Sequence, residues 1–209
     1  MPYREPARTT RRIRLRRIRV AGLLVVIAAI AALGRQVLAS SSSTAAVPND
    51  VARHAHRGAL GEAGGALPDD TTVFDELPGV ANLDSDLLHA LRQAATDAAD
   101  DGVDLFVDSG WRSPEYQEQL LDEAVSKYGS VAAAARWVAT PDTSAHVSGD
   151  AVDVGHDDAT VWLSEHGAEY GLCQIYGNEP WHYELRPEAR DGGCPPLYAD
   201  PTHDPRMQQ

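Results

Sequence analysis

Apolar residues recur at helical spacing from Asp84 to Ala99, where Leu87, Leu88, Leu91, Ala95 and Ala98 share one side of a 3.6-residue period. This predicts a helix capped by Asp84 or Ser85 and ended by Gly102. Asp104 to Asp108 changes to a two-residue period, with Leu105 and Val107 opposite Phe106, and predicts a strand. The turn from Ser109 to Arg112 delivers an arginine from the end of that strand. Ser113 and Pro114 open a second helix with Tyr116, Leu120, Leu121, Ala124 and Val125 as its buried stripe, stopped by Gly129. A short Ala-rich helix follows from Ser130 to about Ala139, and Pro141 breaks it. Ala151 to Val154 reads as a strand sending Val152 and Val154 into a core and Asp153 to the other face. A helix from about Asp158 to Tyr170, ended by Gly171, leads to a hairpin of Leu172–Tyr176 and Trp181–Leu185 turning at Gly177 and Asn178. On its second strand His182 and Glu184 share a face, with Trp181, Tyr183 and Leu185 opposite. Pro180 keeps Glu179 out of helical geometry, so that Glu179 enters from an extended bend.

Ahead of these elements lies an apolar run of fourteen residues, Val20 to Leu33, preceded by eight arginines between Arg4 and Arg19. That order is the layout of an export signal, and a membrane span needs about 20 residues. Residues 1–39 are read either as a signal cleaved after Ala39 or, extended through Leu38, as an N-terminal membrane anchor with its arginines held inside. On either reading the remainder is extracytoplasmic, secreted or tethered. The formal charge of −13 hides an asymmetry, because nine of the 18 basic residues precede Gln36 and the rest of the chain sets nine Lys or Arg against thirty Asp or Glu. So acidic a surface repels nucleic acid and excludes it as a partner.

Residues 40–67, which include SSSSTAA and GALGEAGGAL, read as a flexible linker in which His54 and His56 are solvated. Residues 68–194 form the single folded domain, entered by an irregular lead-in anchored by Val73, Phe74 and Leu77; residues 195–209 read as a C-terminal tail with His203 solvated. A monomer is the default. His89, His156 and His166 read as surface or core histidines. In an oxidising compartment Cys173 and Cys194, which flank EPWHYE, would form a disulfide whose loop of about twenty residues is worth roughly 3 kcal/mol; two unpaired thiols are the alternative.

Two short stretches, Ser144–Asp153 and Glu179–Glu184, hold the chemistry. His146, Asp153 and His182 supply two imidazoles and a carboxylate, a ligand set for one catalytic zinc per chain with a fourth position left for water. Glu179, three residues before His182, is near enough to act on that water as an unligated base. The plain alternatives are two core histidines and a turn carboxylate, with Arg112 in a surface ion pair and Ser144 as a local cap. Glu184 is either a partner of His182 or an exposed strand residue, and the second reading is adopted.

From about Leu83 to Cys194 the chain resembles the VanY-type D-alanyl-D-alanine carboxypeptidases, zinc peptidases of the bacterial cell wall that share a fold with hedgehog domains. Their SxHxxGxAxD pattern is matched by Ser144, His146, Gly149, Ala151 and Asp153, and their ExxHY pattern by Glu179, His182 and Tyr183. Their SGYRS pattern, with a Gln in the following helix, is matched by Ser109, Gly110, Trp111, Arg112, Ser113 and Gln117. The resemblance implies an α+β fold in which helices pack on a small antiparallel sheet carrying the zinc site. It implies Glu179 as base, Arg112 as oxyanion stabiliser or substrate clamp, and Ser144, Gln117, Trp111, Trp181 and Tyr183 as substrate contacts. The implied substrate is a peptidoglycan stem peptide that loses its terminal D-Ala. A D,D-dipeptidase or peptidoglycan endopeptidase would use the same ligands, and a non-catalytic zinc-containing cell-wall binding module would need neither Glu179 nor Arg112. Asp142 and Ala145 depart from the family's Gly and Glu, which bears on substrate preference beside the groove.

Overall fold

The computed structural model describes residues 60–208; the export or anchor segment, residues 40–59 of the linker, and His54 and His56 lie outside the described residues. Four strands, β1 (Phe106–Ser109), β2 (Ala151–Gly155), β3 (Leu172–Gln174) and β4 (His182–Leu185), form an antiparallel sheet in the order β1-β2-β4-β3. Between and around them run α1 (Pro78–Ala81), α2 (Ser85–Asp100), α3 (Pro114–Tyr128), α4 (Val131–Ala134), α5 (Ala145–Ser148), α6 (Asp157–Tyr170) and α7 (Ala189–Gly192). The α+β reading with a small antiparallel sheet is what the structure shows. Among the described residues no helix is long and apolar enough to cross a membrane.

Helix α2 begins where predicted because the Asp84 carboxylate accepts from the amides of Asp86 (2.9 Å) and Leu87 (3.1 Å), satisfying donors that the helix itself cannot. Its inner face carries Leu87, Ala90, Leu91, Ala94, Ala95 and Ala98, all buried; the alanines let it lie close against its neighbours. With Leu163 and Trp162 of α6 and Val107, Val152, Val154, Leu172 and Tyr183 of the strands, they make the main core. Truncating Leu91 to Ala there costs about 2–5 kcal/mol.

The stripe predicted for α3 is only half-buried; its fully enclosed residues are Gln117 and Ala124, because α3 covers the edge of a pocket and not the main core. The helix predicted over 130–139 is the single turn α4. In the lead-in Val73 is buried in the main core, but Phe74 is 57% exposed; Val80 of the unpredicted α1 is also buried. Residues 60–67 are not linker. They form a 3-10 turn at Glu62–Gly64, whose Gly64 carbonyl accepts from the Ser113 amide, and Leu67 packs on the core.

The C-terminal tail is likewise corrected. Residues 195–208 fold back as two 3-10 turns, Pro201–His203 and Pro205–Gln208, with Asp200 and Asp204 buried. Their carboxylates can be buried because Arg136 meets Asp200 at 2.9 Å and Arg206 meets Asp204 at 2.5 Å. His203 stays largely exposed but lies 3.0 Å from Asp200. Cys173 and Cys194 are joined by a disulfide beside a second apolar cluster of Ile175, Tyr176 and Ala189, against which Met207 packs.

Candidate functional site

Strand register brings the site together. Strands β2 and β4 pair with Asp153 directly opposite His182, and since Val152, Val154 and Tyr183 enter the main core, both of these side chains emerge on the other face. Ser109 of β1 pairs with Asp153, which sets Arg112, three residues on, beside the same carboxylate. His146 comes from α5, which ends at Gly149 with φ +83°, where a Cβ would stand 2.7 Å from the Asn82 carbonyl oxygen. Glycine is also required at Gly110, whose Cβ would meet the Gly79 oxygen at 2.1 Å. That close approach lets the Gly110 carbonyl reach His146.

The three predicted ligand atoms converge. His146 Nε2 is 3.3 Å and His182 Nδ1 is 3.1 Å from Asp153 Oδ1, and the two nitrogens are 3.3 Å apart. A tetrahedral ion with bonds of about 2.0 Å separates its ligands by about 3.3 Å, so the triangle has the size a zinc ion asks for. The tautomers agree, as inferred from hydrogen-bond partners. His146 Nδ1 lies 2.8 Å from the Gly110 carbonyl, which can only accept, so Nδ1 donates and Nε2 keeps its lone pair. His182 Nε2 lies 3.3 Å from Glu184 Oε1 and donates to it, turning Nδ1 toward Asp153.

Charge points the same way. Burial raises the Asp153 carboxyl, but His146, His182 and Arg112 outweigh it and hold the group well below the usual carboxylate range. Burial opposes protonation of His182, yet hydrogen bonds to Asp153 and Glu184 prevail and raise it to about 9, so this cluster attracts positive charge. His146 moves down, chiefly through burial and then through Arg112. Binding of a cation here therefore competes with a proton on His182.

Glu179 is 6% exposed and makes no ligand bond in the triangle: its Oε2 is 3.9 Å from His182 Nδ1, and its buried Oε1 has no hydrogen-bond partner. Burial pushes this carboxyl up to about 7. Arg112 gives Nε to Ser109 Oγ (2.8 Å), Nη1 to Gln117 Oε1 (3.2 Å) and Nη2 to Asp153 Oδ2 (2.8 Å). Two of its five N–H groups are left for another partner.

The cluster opens into a pocket of about 230 Å³, lined among others by Arg112, Ser144, Glu179 and Trp181. Gln117 is there too, with its amide committed to Arg112 and, at 2.9 Å, to the Ala139 carbonyl. Trp111 and Tyr183 are not pocket residues. Trp111 donates its backbone amide to the Gly79 carbonyl, and Tyr183 sits in the main core on the opposite face of β4. Glu184, read as exposed, is 1% exposed and is the partner of His182; the cover comes from Arg186 and Arg206. Sequence reasoning missed Tyr128 and Trp137, stacked at 5.9 Å and 9° on the pocket wall, and Tyr176, whose ring lies 5.0 Å from that of His182. A tryptophan in an otherwise alanine-rich stretch was the available signal for Trp137. Of the two departures from the family patterns, Ala145 lines the pocket and Asp142 is exposed outside its wall.

The family model described as VanY, D-alanyl-D-alanine carboxypeptidase, matches residues 80–188, just over half of the chain. A D-alanyl-D-alanine carboxypeptidase of Enterococcus faecalis (strain ATCC 700802 / V583) is 36% identical over 108 residues. The match covers 40% of each protein, so the chain spans well under two thirds of that relative's length. A vancomycin resistance D,D-pentapeptidase VanY mutant from a VanB-type cassette, solved in complex with Zn(II), is similar with TM-score 0.51 and 28% identity, over 62% of this chain and 90% of that one. VanYB in complex with D-alanine-D-alanine gives TM-score 0.49 and 29% identity, over 54% and 79%.

Proposed function

The chain belongs to the VanY family of D-alanyl-D-alanine carboxypeptidases, and from that premise we propose that it is a zinc peptidase releasing the terminal D-Ala of peptidoglycan stem peptides outside the cytoplasm. The observation that carries the reading is the ligand triangle at 3.1–3.3 Å beside a buried Glu179 oxygen with no partner. His146, Asp153 and His182 would hold one zinc ion per chain. Bound there, zinc supplies Lewis-acid polarisation of the peptide carbonyl and lowers the pKa of water toward about 7.

This chain's own groups do the rest. Glu179 Oε1 takes the proton of the attacking water and delivers it to the departing amine nitrogen, a double task suited to a carboxyl held near 7. The two uncommitted N–H groups of Arg112 meet the charge that develops on the carbonyl oxygen, and Ser144 donates to the substrate backbone. Trp181, Tyr128 and Trp137 flank the residues upstream of the cut. The arginine-rich apolar N-terminus and the disulfide support delivery across the membrane, as a monomer either secreted or tethered.

The test is to incubate the purified protein with a stem pentapeptide ending in D-Ala-D-Ala, with and without a chelator, and read products by mass. Loss of one D-Ala, blocked by the chelator and restored by zinc, is the expected result. Release of the intact dipeptide would make it a dipeptidase, internal cleavage an endopeptidase, and zinc binding without cleavage a binding module.

A further inference from the structure

The C-terminal turn reaches the metal cluster from outside the family-matched stretch 80–188. Glu184 Oε1 accepts from His182 Nε2 at 3.3 Å, and the same carboxylate is gripped by two arginines. Arg186 Nη2 touches Oε2 at 2.5 Å. Arg206 spans both oxygens, Nη1 on Oε2 at 2.6 Å and Nη2 on Oε1 at 3.1 Å. Arg206 is itself seated on Asp204, its Nε 3.0 and 3.1 Å from the two carboxylate oxygens and its Nη2 2.5 Å from Oδ2. Asp204 in turn accepts from the Tyr176 hydroxyl at 3.0 Å, and the Tyr176 ring packs on His182. His182, Glu184, Arg206, Asp204 and Tyr176 thus form a closed ring.

We infer that Arg206 is a positioning residue for the metal centre, fixing the plane of the Glu184 carboxylate and, through it, the orientation of the His182 imidazole. The inference rests on the zinc reading above. A ligating imidazole is oriented by what its other nitrogen meets, and loss of such a partner costs about 10–100-fold in metal affinity. Arg186 grips only the oxygen away from His182, so it leaves the carboxylate free to rotate about that contact. Arg206 grips the oxygen that His182 uses and its twin together, which removes that freedom.

The experiment measures zinc Kd on the full chain by competition with a chromogenic chelator. Arg206→Ala is expected to weaken zinc about 10-fold or more, and Glu184→Gln by a similar factor. In the double variant the second change should add nothing, since both break the same ring. Arg206→Lys keeps the charge but grips one oxygen only; it should bind several-fold more weakly than wild type and serves if Arg206→Ala does not fold by circular dichroism. Arg186→Ala should move Kd less than Arg206→Ala. Wild-type zinc affinity in the Arg206 variants, or full additivity with Glu184→Gln, overturns the inference. A wild-type protein that binds no zinc overturns the zinc reading itself.

Discussion

Glu179 should reveal its role through opposite effects on activity and stability. Its carboxyl is buried, one oxygen lacks a partner, and burial raises its pKa from 4.5 to about 7. A carboxyl with a raised folded-state pKa supports the fold below pH 4.5, and that contribution is lost as pH rises through 7. Glu179→Gln removes the ionising group while keeping its shape. The metal-free variant should therefore be more stable than metal-free wild type at pH 8, by at most about 3.5 kcal/mol, since a tenfold change in proton affinity on folding is worth about 1.4 kcal/mol. The difference should vanish by pH 4.5. Turnover of a D-Ala-D-Ala peptide by the zinc-loaded variant should fall by about 10²–10⁴, the usual contribution of a general base, with zinc retained. In the wild type a dication near Glu179 favours its ionised form, so the acidic limb of kcat/KM should lie at or below pH 7 and be absent from the variant. Urea titrations of both metal-free proteins at pH 4.5, 6 and 8, beside a pH–rate profile, decide the matter. A variant within tenfold of wild-type activity would refute Glu179 as base, and a variant that no longer bound zinc would make it a ligand instead.

Gly110→Ala places a Cβ 2.1 Å from the Gly79 oxygen and displaces the carbonyl that orients His146, so zinc affinity measured by chelator competition should drop about 10–100-fold; an unchanged Kd would show that the backbone yields elsewhere. Reducing the bond between Cys173 and Cys194, 21 residues apart, should cost about 3 kcal/mol and lower the urea midpoint; no change with reductant would mean that the reduced chain keeps this loop closed by packing alone. Trp137→Ala strips the exposed half of an aromatic pair from the pocket wall. It should raise KM several-fold with kcat within about twofold, and a kcat loss at constant KM would place Trp137 against the reacting bond instead.

The residues of the triangle and Glu179 are legible in the sequence because the motifs that carry them are short, so that His146 on α5 and Asp153 on β2 are only one turn apart and Glu179 lies just ahead of β4. Alternation along β4 puts His182 and Glu184 on one face and Tyr183 on the other, and the structure agrees. What alternation does not carry is depth. Glu184 reads as exposed because its cover comes from Arg206, 22 residues away, and ion pairs at that distance leave no periodic trace. For the same reason the polar stretch after Cys194 looks like a tail, although Asp200 and Asp204 are buried against arginines. Hydrophobicity alone places Phe74 inside, yet Val73 beside it takes the core position. The Tyr128 and Trp137 pair joins the end of α3 to the chain beyond α4, a helix of only four residues, so no single period announces it.

Asp153 and His182 face each other across adjacent strands, held apart by ladder hydrogen bonds and not by the conformation of the 28 residues between them. The site is therefore pre-organised: Asp153 and His182 lose their backbone freedom when the sheet forms, before any ion that they would hold arrives. Only the exposed positions of the excursion through α6 and β3 are free to change, because Trp162, Leu163 and Leu172 fill the main core and Glu179 must return beside the triangle while the β2–β4 ladder closes in the same register.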